Sequence, residues 1–220
     1  MIKSFNDSTS KHSTAKIIIL TAMALVSLTN IFGINAAGMS VLLGIGAFIV
    51  FKIIEKQTLR ECGLDVKSIK KTATAAIWIW IALPTIINVL VIVIAKLMIP
   101  DYISHVMSRS EIMLSFDKLP ILIVQIALFA LAEEVAWRGF FQKQIQSIVP
   151  ALPAIIGTSV IFSLGHLTSG SLMIVAYDLV FVFMNSLIYG AVFKKTNNIW
   201  LCTISHFLAN FSAIIILFFL

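Results

Sequence analysis

Glu133-Glu134-Val135-Ala136-Trp137-Arg138 sets two carboxylates and a guanidinium inside a run, residues 119–141, that is otherwise almost wholly apolar. A charged side chain near the centre of a bilayer costs about 2.5–3.5 kcal/mol on insertion scales, so an ionisable cluster at that depth marks either a site or an internal ion pair. Around this stretch the chain has the composition of a membrane protein. Of its 220 residues 60% are hydrophobic and 12% charged, and the mean hydropathy is +1.03; soluble chains carry about a quarter charged residues. The fold class these values define is all-α, a polytopic membrane helix bundle of about seven transmembrane helices. The net charge of +6 does not point to nucleic acid, because the basic residues flank apolar spans instead of alternating with aromatics in one patch. Cys62, in a polar loop, and Cys202, within a helix, form no disulfide framework. A reduced Cys62 facing the cytosol is expected.

The polar first 15 residues lead into an apolar run from Lys16 to about Ile34. It is longer than a signal-peptide core and is followed at once by a second run, 39–54, so the pair reads as a helical hairpin. Residues 55–71, with Lys56, Arg60, Lys67, Lys70 and Lys71, read as a cytoplasmic connector. A third span, 72–98, is expected to kink at Pro84, and residues 99–117 to form a loop. The fourth span runs from Leu119 through the charged motif to about Ser147 and is stopped by Pro150 and Pro153. A fifth, 151–167, turns at Thr168-Ser169-Gly170 into a sixth, 171–193, and Asn197-Asn198 opens the seventh. The chain thus divides into N-terminal membrane helices and connectors, 1–118, and a membrane core of four spans, 119–220, that carries the charged motif. Sorted by loop, Lys3, Lys11, Lys16, Lys52, Lys56, Arg60, Lys67, Lys70, Lys71, Arg138, Lys143, Lys194 and Lys195 fall on one side, and only Lys96, Arg109 and Lys118 on the other. By the positive-inside rule the N-terminus is cytoplasmic and the C-terminus external.

Glu134 and Arg138 stand at i, i+4 with the acid first, the favoured order for a helical ion pair. Glu133 then points about 100° away and is left to act on something else. A carboxylate out of water suits a general base. The bland alternative is that all three charges form an architectural ion cluster. Two further pairs, Phe162-x-x-x-His166 and His206-x-x-x-Asn210, each share one helical face. Together with Glu133 they either polarise a water and cradle an oxyanion or bind a divalent metal through Glu133, His166 and His206. Cys202, one turn before His206, offers a weaker nucleophilic alternative, since a buried cysteine generally behaves as a small apolar residue. Asp178, Asn185 and Tyr189 are expected to line the same cavity or to bond between helices, and Gly190-Ala191 to mark a close approach of helices.

Glu-Glu-x-x-x-Arg, Phe-x-x-x-His and His-x-x-x-Asn on successive apolar spans resemble the CPBP (Abi) family of intramembrane proteases, which includes the CAAX prenyl endopeptidases. All three motifs match without substitution within about residues 119–212, whereas the first three spans share only hydropathy with the family. The resemblance implies an endopeptidase in which Glu133 and His166 activate the hydrolytic water, His206 and Asn210 stabilise the oxyanion, and Glu134 and Arg138 support the site. The family has been described both as metalloproteases and as metal-free glutamate enzymes, so zinc stays a candidate cofactor. The partners implied are a membrane-associated protein or peptide substrate and the lipid bilayer, with no nucleic acid. The rival of another class is a non-catalytic membrane scaffold or bacteriocin-immunity protein. A transporter relaying protons through Glu133 fits less well, since the spans show no repeat. One feature conflicts with a shared site: at 1.5 Å per residue, His206 lies about 10 Å from the start of its span and His166 about 24 Å from Pro150.

Overall fold

A computed structural model describes residues 2–31, 34–99, 101–111, 115 and 118–219. The side chains of 2–12, 30, 31, 34, 35, 109 and 111 lie outside the described set, and with them the charges expected on Lys3, Lys11 and Arg109. The helices in chain order are α1 (Ile2–Ser27), α2 (Ala37–Ile54), the single turn α3 (Ile69–Thr72), α4 (Ala75–Met98), α5 (Asp101–Glu111), α6 (Leu119–Glu134), α7 (Lys143–Gln146), α8 (Ala151–Leu164), α9 (Leu172–Thr196) and α10 (Ile199–Phe219). A π-helical segment, Val135–Gln142, joins α6 to α7 without a break.

Five of these helices are long and apolar enough to cross a membrane: Ala37–Ile54, Ala75–Met98, Leu119–Gln146, Leu172–Thr196 and Ile199–Phe219. The other two segments expected to span are helical but shorter. The apolar part of α1 is Ser13–Ser27, and α8 has 14 residues, about 21 Å against a hydrocarbon core of about 30 Å. The run expected to reach Ile34 stops at Ser27 because Asn30-Ile31 pairs antiparallel with Ile34-Asn35, and poor helix formers stand there.

Residues 101–111 are a helix where a loop was expected. Tyr102 buries its ring edge-on against Tyr177, with centroids 4.9 Å apart, and its hydroxyl donates to Asp178 Oδ1 at 3.2 Å. The amphipathic turns of α5 fold onto the ends of α4 and α9. Pro84 sits inside a continuous α4. In the turn before it, the Ser205 hydroxyl of α10 donates to the carbonyl of Ile81 at 2.9 Å, so a neighbouring helix compensates the turn that proline weakens.

The connector is a built element. Glu61 accepts from the amide and hydroxyl of Thr58, both at 2.8 Å, and those bonds hold its carboxyl below the usual range. Carbonyls of the connector are gripped by donors from the C-terminal half. Asn197 donates to Arg60 at 2.9 Å, Asn198 to Asp65 at 3.0 Å, Trp200 to Leu64 at 3.1 Å, and Lys143 to Glu61. Gly63, at φ +86°, accepts from the amide of Ile199 at 2.8 Å, in a conformation that other residues rarely adopt. Cys62 is consequently fully buried in the core and does not face the cytosol as expected.

This packing resolves the mismatch in depth. Glu133 and His166 stand 17 and 16 residues from Pro150 on the two arms of the α6–α8 hairpin, so each lies about 25 Å from the turn. The α9–α10 turn is instead recessed, with Asn198, Ile199 and Leu201 all at 0% exposure under the connector. His206 therefore reaches the level of the other two in fewer residues.

Candidate active site

Glu134 and Arg138 are both 0% exposed, with Glu134 Oε2 3.3 Å from Arg138 Nε, an ion pair without hydrogen-bond alignment. The rest of the guanidinium is held by α9 and by aromatic faces. Nη2 donates to the Ser186 carbonyl at 3.1 Å and hydroxyl at 2.8 Å. The guanidinium carbon lies 4.9 Å from the Phe162 ring centroid and 5.4 Å from that of Tyr189, within the range of cation–π attraction. Arg138 is thus enclosed by the bundle, although its charge was counted on the cytoplasmic side.

The other oxygen of Glu134 lies 2.9 Å from His206 Nδ1, and His206 Nε2 lies 3.7 Å from Glu133 Oε2. A carboxylate only accepts, so the Nδ1 proton is directed at Glu134 and Nε2 is turned towards Glu133. The two adjacent glutamates differ in access: the Glu133 side chain is 26% exposed and that of Glu134 0%. Glu133, His166, His206 and Asn210 all line one cavity of about 750 Å³. His166 stands just past the end of α8, not inside a helix, because the chain turns there. Its Nδ1 lies 2.9 Å from the Phe162 carbonyl, and the two rings have centroids 4.7 Å apart. The Nδ1 proton is therefore spent on that carbonyl, and in the neutral ring the lone pair is on Nε2.

Asp178, Asn185 and Tyr189 also line the cavity. Asn185 donates to Asn88 Oδ1 at 2.6 Å, and Asn88 in turn donates to the carbonyl of Ala209 at 3.0 Å. Asn88 was missed in the sequence reading, although a lone amide within an apolar span is itself a signal. Cys202 is buried, directs its thiol at the Asn198 and Tyr189 carbonyls, and does not line the cavity. A Cβ on Gly190 would stand 2.8 Å from Gln142 Oε1, and the Gln142 amide donates to the Gly190 carbonyl at 3.0 Å; the Gln142 side chain of the π segment lies directly on the α9 backbone. Gly190→Leu is expected to lower the thermal midpoint of the purified protein by several degrees, since overpacking a core costs about 1–3 kcal/mol, and differential scanning fluorimetry in detergent checks it.

A closed zinc site takes three or four protein ligands. Among the described residues no three His, Cys, Asp or Glu side chains group closely enough to hold a metal ion. Glu133 and His206 face each other, but His166 does not complete the set, so no step below runs through a metal.

Fold and site define a multi-pass helical membrane protein with a carboxylate–imidazole site enclosed in its bundle. Residues 115–212 match the family described as Type II CAAX prenyl endopeptidase Rce1-like, a match that supports a CAAX-type intramembrane protease. No curated protein and no solved structure matches the chain.

Proposed function

We propose that the protein hydrolyses a peptide bond of a membrane-associated protein or peptide by means of a water activated at Glu133. The observation that carries this reading is the unequal state of the two glutamates. Glu134 is sealed and shared between Arg138 and His206, whereas Glu133 is partly exposed on the cavity wall with His206 Nε2 3.7 Å away. Glu133 takes a proton from the water, with His166 Nε2 as the second acceptor facing the same cavity. When His206 carries both ring protons, Nδ1 holds to Glu134 and Nε2 donates to the developing oxyanion, joined by the Asn210 amide. While Glu133 is ionised, Glu133 and Glu134 balance Arg138 and the doubly protonated His206; once Glu133 has taken the water proton, the oxyanion stands in for its charge, and the site stays neutral overall, which suits a site out of water. Residues 119–220 form the catalytic core in this reading, and 1–118 supply the surrounding wall.

Whether a metal assists is decided by cleavage after exhaustive chelation, with elemental analysis for zinc. Full activity at sub-stoichiometric zinc is expected. Activity that disappears and returns with added zinc would make Glu133, His166 and His206 ligands instead. The substrate class is tested in parallel with purified protein on prenylated CAAX peptides and on unprenylated membrane-anchored peptides; cleavage of neither removes the proposal.

The charge distribution supports a cytoplasmic N-terminus and an external C-terminus in the cell membrane. Even with Arg138 set aside as a buried charge, the bias stays lopsided. Cys62 is too buried to report on topology, so Lys67→Cys, at an exposed connector position, is the better probe. It is expected to react with a membrane-impermeant maleimide only after the membrane is opened, with wild-type Cys62 silent in both states. Labelling in intact cells would invert the orientation.

A further inference from the structure

Tyr189 is 2% exposed and lies flat on the His206 imidazole, with centroids 4.6 Å apart and planes inclined by 19°. The Arg138 guanidinium stands against the same tyrosine ring at 5.4 Å. Phe162 meets the imidazole edge-on at 6.4 Å. The backbone that carries Tyr189 is fixed on both sides of it. Ser186, one turn earlier, receives Arg138 Nη2, and Gly190, the next residue, receives Gln142.

A single hydrogen bond at Nδ1 leaves an imidazole able to swing about that bond, because the ring torsion is soft. Swinging would carry Nε2 away from Glu133 without breaking the contact to Glu134. A flat aromatic face removes that freedom. We propose that Tyr189 is a positioning residue: its ring, backed by Arg138, fixes the plane of His206 so that Nδ1 meets Glu134 while Nε2 meets Glu133 and the cavity. The inference rests on the protease reading for its kinetic consequence but not for the geometry itself. It assigns the role to the aromatic face and none to the phenol hydroxyl.

Two variants separate face from hydroxyl in the purified, membrane-extracted protein. Tyr189→Leu is expected to lower kcat about tenfold with KM held within about twofold, since Tyr189, 2% exposed, offers the cavity little surface and the loss falls on transition-state alignment. Tyr189→Phe, which restores the ring, is expected to recover kcat to within about twofold of wild type. Unchanged kcat in the leucine variant overturns the proposal. An equal loss in the phenylalanine variant does so too, because the hydroxyl would then carry the role.

A readout independent of cleavage uses protein labelled with isotopic histidine and studied by NMR in detergent, with the His206 signals assigned by their loss in His206→Gln. The His206 ring protons of wild type are expected to be shifted upfield by the Tyr189 ring current, and Nδ1 to carry a proton. An unshifted wild-type ring refutes the stack even if the leucine variant fails to fold. A shifted ring in a protein that cleaves no peptide would leave the positioning role standing and remove the protease reading.

Discussion

Glu133→Gln is expected to lower the rate of peptide cleavage by about 10²–10⁴-fold, the range lost with a general base, while the protein stays in the membrane at normal abundance. The exchange removes a negative charge and a proton acceptor but little volume. Structure should survive it because Glu133 is the one acid of the motif that is not sealed in. Its side chain is 26% exposed, and its nearest charged neighbour, His206 Nε2, is 3.7 Å away, too far for a direct hydrogen bond. The amide can still face His206, so the wall of the cavity keeps its shape. Glu134→Gln is the necessary contrast. That change removes the partner of both Arg138 and His206 and should lower stability as well as rate. If purified Glu133→Gln cleaves at the wild-type rate, the base has been misassigned and the scaffold or immunity reading takes precedence.

How much of this was legible in the sequence depends on which physical signal each residue carried. The all-helical class and the order of the apolar segments are legible in hydropathy, though only five of the seven expected spans are long enough to cross a membrane, and the i, i+4 spacing of Glu134 and Arg138 anticipates the contact between them. The unequal exposure of Glu133 follows from the same helical geometry. Other features carry no local signal. The π segment places seven consecutive residues, Ala136 to Gln142, in the interior, and no residue pattern distinguishes such a segment from an ordinary apolar helix, although π turns are frequent at functional sites. The folding of the connector over the α9–α10 turn depends on Asn197, Asn198 and Trp200 reaching carbonyls more than 130 residues earlier in the chain. Polar side chains at a loop start read as solvated, so a buried Cys62 could not be foreseen. The helix at 101–111 was hidden by its low mean hydropathy, since its buried side is essentially the Tyr102 face.

The position of His206 shows why those missed parts matter for the site. Counting residues from loop boundaries set it about 15 Å out of level with His166, because a loop was taken as a fixed membrane boundary. The loop before α10 is instead drawn into the bundle, and Asn198 is the pin: its Oδ1 accepts the Leu201 amide at 3.1 Å and its Nδ2 donates to Ser68 at 2.8 Å as well as to Asp65. A residue of the N-terminal half thereby helps set the depth of a residue in the site.

Arg138→Ala is expected to remove most of the folded protein before it changes the activity of what remains. In wild type the guanidinium lies against Glu134, holds Ser186 through two hydrogen bonds and fills the space between Phe162 and Tyr189. Truncation leaves Glu134 fully buried without its guanidinium partner, faced only by His206, and it opens a void between two aromatic rings. Breaking a buried ion pair by removing one partner costs about 3–5 kcal/mol, a large part of the roughly 5–15 kcal/mol that stabilises a typical fold. Arg138→Lys should recover only part of the loss, because an ammonium lacks the fork that reaches Glu134 and Ser186 together. Arg138→Met combined with Glu134→Gln should recover more than either change alone predicts, since the uncompensated charge is gone. Quantitative immunoblotting of membranes and thermal unfolding of detergent-purified protein read these differences, with cleavage expressed per folded molecule. Wild-type abundance and thermal midpoint in Arg138→Ala would show that Glu134 is stabilised by something other than Arg138, and the division of labour between the two glutamates would have to be redrawn.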